Sequence, residues 1–127
     1  MQYGVAVRNA RLSAVESTVG TSPLLKVFSG AVPANCAASD PSGLLVTMTL
    51  PSDWMNSPSG GTSSMAGSWT DVASGAGTAQ SWRIYDNSGA VCGIQGDVIS
   101  DLVLDNNSIA VSQVVTVTSF VLTAGNP

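Results

Sequence analysis

Three aspartates that lie close together in the sequence are the residues whose type and spacing could support chemistry. Asp97, Asp101 and Asp105 occur within the segment GDVISDLVLDNNS. Two carboxylates across a cleft can hydrolyse a glycoside, and an oxygen-rich set can hold calcium. Their spacing is not that of a calcium loop, and Asp101 and Asp105 bracket a predicted strand. We therefore expect strand-end and turn roles for them, and we predict no catalytic residue, no cofactor site and no metal site.

The chain contains no histidine. It therefore lacks the side chain best suited to proton transfer near neutral pH, which is also a common metal ligand. The sequence has no P-loop and no GxSxG motif, and the glycines of GIQGD do not follow the dinucleotide-binding fingerprint. These features favour a protein that is not an enzyme.

Two cysteines, Cys36 and Cys92, lie far apart and without CxxC spacing. The N-terminal stretch shows no basic-then-apolar signal pattern, so we expect synthesis in a cytoplasm. In a reducing compartment such cysteines are usually separate buried thiols, and this is our expectation. A disulfide between them is the alternative.

The longest polar loop, residues 51–64, contains Trp54 and Met55. Large apolar residues in a loop either pack on the edge of the core or contact a partner, because Trp and Met are favoured in interface cores. Trp69 and Trp82 lie within strand patterns and are expected in the core. An exposed Trp54 would also suit the stacking of sugar rings, so a glycan-binding module is an alternative function.

The N-terminal stretch predicts an amphipathic helix. Val5, Leu12, Val15 and Val19 recur at helical spacing on one face. Gly20 and the following TSP end the pattern in the way that helices commonly end. This helix either covers the core of its own domain or docks on a partner subunit.

The chain from Pro23 onward predicts seven or eight short strands separated by turn formers. The segment 112–123, SQVVTVTSFVLT, has the cleanest period of two and predicts a long central strand. This alternation places Val115 and Val117 on one face and Phe120 on the other.

The segment 81–98, SWRIYDNSGAVCGIQGDV, predicts a hairpin with the turn NSG. Cys92 and Ile94 are expected on the same face of its second strand. Gly93 and Gly96 interrupt this strand. We attribute them to a bulge or a close crossing by neighbouring backbone rather than to a ligand cradle, because no chemical group converges there.

These elements together predict a mainly β protein. We expect an antiparallel β-sandwich or jelly roll over residues 23–127. An N-terminal α-helix within residues 1–22 precedes it, either as part of the same domain or as an interaction arm.

The low charge of the chain excludes some partner classes. Charged residues make up 9% of the chain, and the net charge is −4 with only four basic residues. A phosphate backbone is bound by clustered Lys and Arg, so we expect no nucleic-acid partner. No apolar run approaches the roughly 20 residues that span a bilayer, so we expect no membrane partner.

Several stretches, in collinear order, resemble a family of small proteins encoded by tailed bacteriophages and prophages. The most telling are RNARL, LPSDWM, RIYDNSG and the closing VTVTSFVLTAGN, and the similarity covers nearly the whole chain. Members of this family are mostly uncharacterised or virion structural proteins. The resemblance therefore implies a virion component, made in the host cytoplasm, with no catalytic residues to carry over.

The size and predicted fold are similar to those of phage cement or decoration proteins, an analogy of fold that does not fix function. It implies a protein that bridges neighbouring capsid subunits, with the major capsid protein or other virion proteins as partners and with self-association into a homo-oligomer. A neck, tail or baseplate component is an alternative. The residues that we predict to make contacts are Val5, Leu12, Trp54 and Met55.

Overall fold

The computed structural model describes residues 1–126, which form one α-helix followed by ten β-strands. The mainly β fold with an N-terminal helix and an antiparallel sandwich is confirmed. The predicted strand number was lower because three strands, Thr62–Ser64, Gly77–Thr78 and Ser108–Ile109, have only two or three residues, too few for an alternation pattern. Pro127, the last residue of the predicted sandwich domain, lies outside the described residues. The elements are α1 (Val5–Val19), β1 (Leu24–Phe28), β2 (Leu44–Thr49), β3 (Thr62–Ser64), β4 (Thr70–Val72), β5 (Gly77–Thr78), β6 (Ser81–Tyr85), β7 (Cys92–Asp97), β8 (Leu102–Leu104), β9 (Ser108–Ile109) and β10 (Val114–Thr123).

Two antiparallel sheets build the sandwich. The first sheet has the strand order β2-β1-β6-β7. In the second sheet the long strand β10 pairs with β4, β8 and β3 along its length. Strands β5 and β9 form a separate two-stranded ladder. One continuous hydrophobic cluster draws side chains from both sheets, which is the arrangement of a β-sandwich core.

Four aromatic side chains lie in the centre of the core. Trp54, Trp69, Trp82 and Phe120 are each at most 1% exposed. The ring centroids of Trp69 and Phe120 are 5.1 Å apart, and so are those of Trp82 and Phe120. Each indole N–H donates a hydrogen bond to a backbone carbonyl at 2.9–3.0 Å. Burial of the three tryptophans therefore leaves no indole donor without an acceptor.

The long strand β10 confirms the predicted central strand but not its uninterrupted alternation. Its pairing with β8 shifts register between Val117 and Ser119, so the strand contains a bulge there. One extra residue moves every following side chain to the other face. Val115, Val117 and Phe120 are consequently all buried in the core, and the prediction that Phe120 faces away from the two valines is wrong.

A second bulge lies in β7, and Gly93 is its extra residue. Ile94 pairs with Ile84 of β6 while Cys92 pairs with Tyr85, which leaves Gly93 between two registers. The bulge predicted from the glycine is confirmed. Because it shifts the alternation by one residue, Cys92 lies on the opposite face from Ile94, and the prediction that they share a face is wrong.

The two glycines of β7 also mark close approaches. A Cβ at Gly93 would lie 2.7 Å from Cγ2 of Val19, at the end of α1. A Cβ at Gly96 would lie 2.7 Å from the indole ring of Trp82, the residue opposite it on β6. The predicted crowding is confirmed, although side chains rather than neighbouring backbone cause it.

Helix α1 spans Val5–Val19 and ends at Gly20, which has a φ of +96° and donates its N–H to the carbonyl of Glu16. Leu12 and Val19 are buried against the strands, so the helix covers the core of its own chain. Within residues 1–126, no helix has the length and apolar character needed to cross a membrane.

Candidate interaction surface

The predicted contact residues divide into one exposed and three buried side chains. Val5 is 51% exposed, whereas Leu12, Trp54 and Met55 are 6%, 0% and 2% exposed. The 51–64 loop folds inward: the Trp54 indole donates to the carbonyl of Gly20, and Met55 pairs with β-bridge geometry to a second methionine. A buried side chain is not available to a partner of the folded chain. We therefore withdraw Leu12, Trp54 and Met55 as contacts, and Val5 stays a prediction.

The burial of the tryptophans also removes the platform on which sugar stacking would depend. Trp54 was the one indole for which surface exposure was an alternative to packing on the core, and it is buried in the aromatic core. Trp69 and Trp82 are buried in the core as predicted. No tryptophan ring in the described part of the chain is therefore exposed for a sugar to stack on.

The three aspartates occupy the strand ends and turns expected for them. Asp97 is the last residue of β7, Asp101 precedes β8, and Asp105 follows it. All three are exposed, and Asp105 accepts hydrogen bonds from two backbone N–H groups. Among residues 1–126, no three His, Cys, Asp or Glu side chains lie close enough together to hold a metal ion.

A different pair of carboxyl groups, Glu16 and Asp53, was not anticipated from the sequence. Partial burial raises the pKa of Glu16, and a hydrogen bond and charge repulsion from Asp53 raise it further. A backbone hydrogen bond from Met55 acts in the opposite direction. Helix α1 and the turn before Trp54 bring the two together, and the 36 residues between them in the sequence hide the pair from pattern analysis.

A disulfide joins Cys36 and Cys92, whose Cα atoms are 5.4 Å apart. The expectation of two separate thiols is therefore wrong. Cys36 belongs to residues 29–43, which connect β1 to β2 and which we call the cover loop. The loop lies across the outer face of the first sheet, and the bulge at Gly93 turns Cys92 toward that same face. The spacing of the cysteines in the sequence indicates neither the position of the loop nor the bulge that turns Cys92.

Arg83 of β6 lies between the sheet and the cover loop and binds residues of the loop. Its side chain is 2% exposed and forms an ion pair with Asp40 at 3.0 Å. Its other guanidinium nitrogens donate to the carbonyl of Asn35 and to the side chain of Gln95, both at 3.1 Å. The Tyr85 hydroxyl also donates to Asp40. Burial raises the pKa of Tyr85, and its hydrogen bond to Asp40 raises it further.

The helix and the β6–β7 hairpin enclose an open groove of about 710 Å³. Leu12, Val15 and Val19 line it from α1, and Val91 lines it from the hairpin. We call it the α1–β7 groove. Its lining is mostly apolar and includes one basic and one acidic residue, Arg11 and Asp86.

The carboxylate in the groove lining is hydrogen-bonded within its own turn. Asp86 accepts hydrogen bonds from the Ser88 hydroxyl and from backbone N–H groups of the hairpin turn. The Ser88 hydroxyl makes the largest contribution to the lowered pKa of Asp86. The groove is consequently suited to an apolar group rather than to a charged ligand.

Aliphatic side chains on the surface form the second feature suited to binding. Val72 and Val114 pair across neighbouring strands and are 52% and 57% exposed. Ile99, in the turn between β7 and β8, is 71% exposed. Further valines that are at least half exposed are Val5, Val7, Val91 and Val111.

Comparison with known proteins places no relative beside this chain. No protein-family model matches it, and no curated protein and no solved structure matches it.

Proposed function

We propose that the protein is a non-enzymatic structural component of a tailed-bacteriophage particle. In this proposal it acts as a capsid cement or decoration protein that binds across neighbouring capsid subunits. Its partners are the major capsid protein or other virion proteins, together with further copies of itself, and its location is the virion. The sequence resemblance suggests this setting, and the character of the surface supports it.

The observation that carries the proposal is the combination of exposed aliphatic side chains with a rigid, weakly charged framework. Charged residues form only 9% of the chain, so little charge must be desolvated when the surface is covered. The disulfide and the buried Arg83 fix the cover loop to the first sheet. Such a framework loses little conformational entropy on binding.

The proposed mechanism is passive stabilisation of the assembled shell. A protein that binds the assembled state and not the separate subunits shifts the equilibrium toward assembly. Modest contacts suffice when they are repeated over many copies. The apolar contacts are made by residues such as Val5 and the cross-strand pair Val72 and Val114, which are exposed in the isolated chain.

Quantitative mass spectrometry of purified virions tests the proposal. A copy number comparable with that of the major capsid protein is the expected result. A far lower ratio would assign the chain to the neck, tail or baseplate, the alternative structural role. Absence from the particle would overturn both structural roles.

A variant pair tests the surface itself. We expect Val5→Asp to weaken binding to purified capsids that lack this protein, with the fold intact, because Val5 is half exposed. Ser13→Asp, which adds the same charge to another exposed position of α1, is the matched control. Equal binding by the two variants would remove the N-terminal end of α1 from the interface.

A further inference from the structure

The turn between β7 and β8 holds an isoleucine in a backbone conformation that β-branched residues rarely adopt. Ile99 has a φ of +105°, and its N–H donates to the carbonyl of Leu102 at 2.8 Å. Glycine would take this conformation with far less strain. The strained backbone therefore costs stability, which the surrounding structure must offset.

Packing of the Ile99 side chain within its own chain offsets little of that loss of stability. It is 71% exposed, the largest exposure of any isoleucine, leucine or valine in residues 1–126. Neither packing nor turn geometry in the isolated protein accounts for an isoleucine here. A contact outside the chain would account for it, since that contact would bury the side chain.

The same chain carries an apolar depression of suitable character at the other end of β7. The α1–β7 groove opens beside Cys92 and Gly93, at the start of the strand, whereas Ile99 lies two residues beyond its last residue, Asp97. A six-residue strand is about 20 Å long. An apolar projection and an apolar groove therefore lie at opposite ends of one rigid element.

One charge in the groove lining, that of Arg11, is opposite in sign to the charges beside Ile99, and the lining's own carboxylate, Asp86, is hydrogen-bonded within its turn. Asp97 and Asp101 flank Ile99 and are both exposed. Arg11 lines the groove, donates to the carbonyl of Gly125 and forms no ion pair within residues 1–126. Opposite charges placed in this way orient an approaching partner and increase the rate of encounter.

We infer that Ile99 of one copy inserts into the α1–β7 groove of a second copy, so that the chain associates with itself head to tail. The two contacting surfaces differ, so the contact is heterologous, and repetition produces a ring or a filament. Asp101 of one copy faces Arg11 of the next. This inference specifies the self-association named in the proposed function. It is tested on the isolated protein, so its failure and failure of the virion role are distinguishable.

Sedimentation velocity on the purified full chain, from micromolar to millimolar concentration, measures the association. The wild type should form oligomers larger than dimers as the concentration rises. Ile99→Asp should weaken association at least about tenfold, because it places a charge in an apolar groove. Val91→Asp should do the same from the groove side. Val111→Asp, at a similarly exposed valine in a different turn, is the control and should leave association unchanged.

Two further measurements distinguish this head-to-tail contact from non-specific association. In a mixture of the two variants, Ile99→Asp keeps an intact groove and Val91→Asp keeps an intact Ile99. The mixture should therefore form heterodimers but no assemblies larger than dimers. Ile99→Gly should lose association and gain thermal stability at once, because glycine relieves the backbone strain. A wild type that stays monomeric up to millimolar concentration overturns the inference. Association that survives Ile99→Asp, or that Val111→Asp weakens equally, also overturns it.

Discussion

Strand β6 of the first sheet is buried on both of its faces, but different interactions bury them. All five residues of β6 are buried, and they alternate between the faces. Trp82 and Ile84 enter the hydrophobic core. Ser81, Arg83 and Tyr85 lie beneath the cover loop, and each donates a hydrogen bond to a residue of that loop.

The two kinds of burial differ in how strongly they depend on the exact position of each neighbouring residue. The core face depends on apolar contact, which is non-directional and scales with the area removed from water. The covered face depends on directed bonds and one disulfide, so each partner must be in place. A buried charge such as that of Arg83 is costly without its partners, which makes the cover loop a structural requirement of this sequence.

The largest effect should come from the core face. We expect Trp82→Ala to lower the free energy of unfolding by about 3–5 kcal/mol, because it leaves a cavity between the sheets. Gly96→Ala should also destabilise the wild type, since its Cβ would lie 2.7 Å from the Trp82 ring. In the Trp82→Ala background that second cost should largely disappear. Urea unfolding of the two single variants and the double variant measures this coupling, and additive losses would contradict the packing described.

The disulfide should have the next largest effect. It spans 56 residues, and removal of such a cross-link typically costs about 2–4 kcal/mol. We expect this loss for the double variant Cys36→Ser with Cys92→Ser, and also for the wild type in dithiothreitol. The double variant in dithiothreitol is the control and should show no further change. Thiol alkylation followed by mass spectrometry checks the pairing, and labelling of both cysteines in the native protein without reductant would refute it.

A smaller effect should come from the tyrosine beneath the cover loop. Tyr85→Phe removes the hydrogen bond to Asp40, which should cost about 0.5–1.5 kcal/mol at pH 7. The pKa of Tyr85 is raised above its ordinary value of 10.0, chiefly by burial. Its contribution to stability is therefore present below pH 10 and is lost as the pH rises through the higher pKa of the folded state.

Urea unfolding at pH 7 and above pH 10 tests this pH dependence. The stability difference between wild type and Tyr85→Phe should shrink at the higher pH. Tyr3→Phe alters the other tyrosine, which lies outside the cover-loop network, and it should have the smaller effect at pH 7. A difference that stays constant between the two pH values would show that the Tyr85 hydroxyl is not held as described.

Much of the fold was predictable because periodicity reports local backbone structure. The spacing of Val5, Leu12 and Val19 indicated α1, and Gly20 marked its end. Alternation in 112–123 indicated β10. The glycines of β7 indicated a bulge, and the bulge lies at Gly93.

The candidate surface was less predictable, because exposure depends on what the rest of the chain covers. Trp54 and Met55 lie in a polar loop that would suit a contact, yet the loop places both in the core. The sequence did not indicate Ile99 as a contact residue, since one isoleucine in a short polar segment has no periodic signal. Its backbone angle and its exposure are visible only in three dimensions.

The sequence by itself determined the class of fold, the helix and its end, and the hairpin of β6 and β7. These depend on residues within one or two turns or strands of each other. Only the tertiary structure decided that Cys92 meets Cys36, that Phe120 joins the core and that Arg83 is covered. A bulge of one residue moves every following side chain of the strand to the other face. The cover loop is held on the first sheet by contacts with residues some 50 positions away in the sequence.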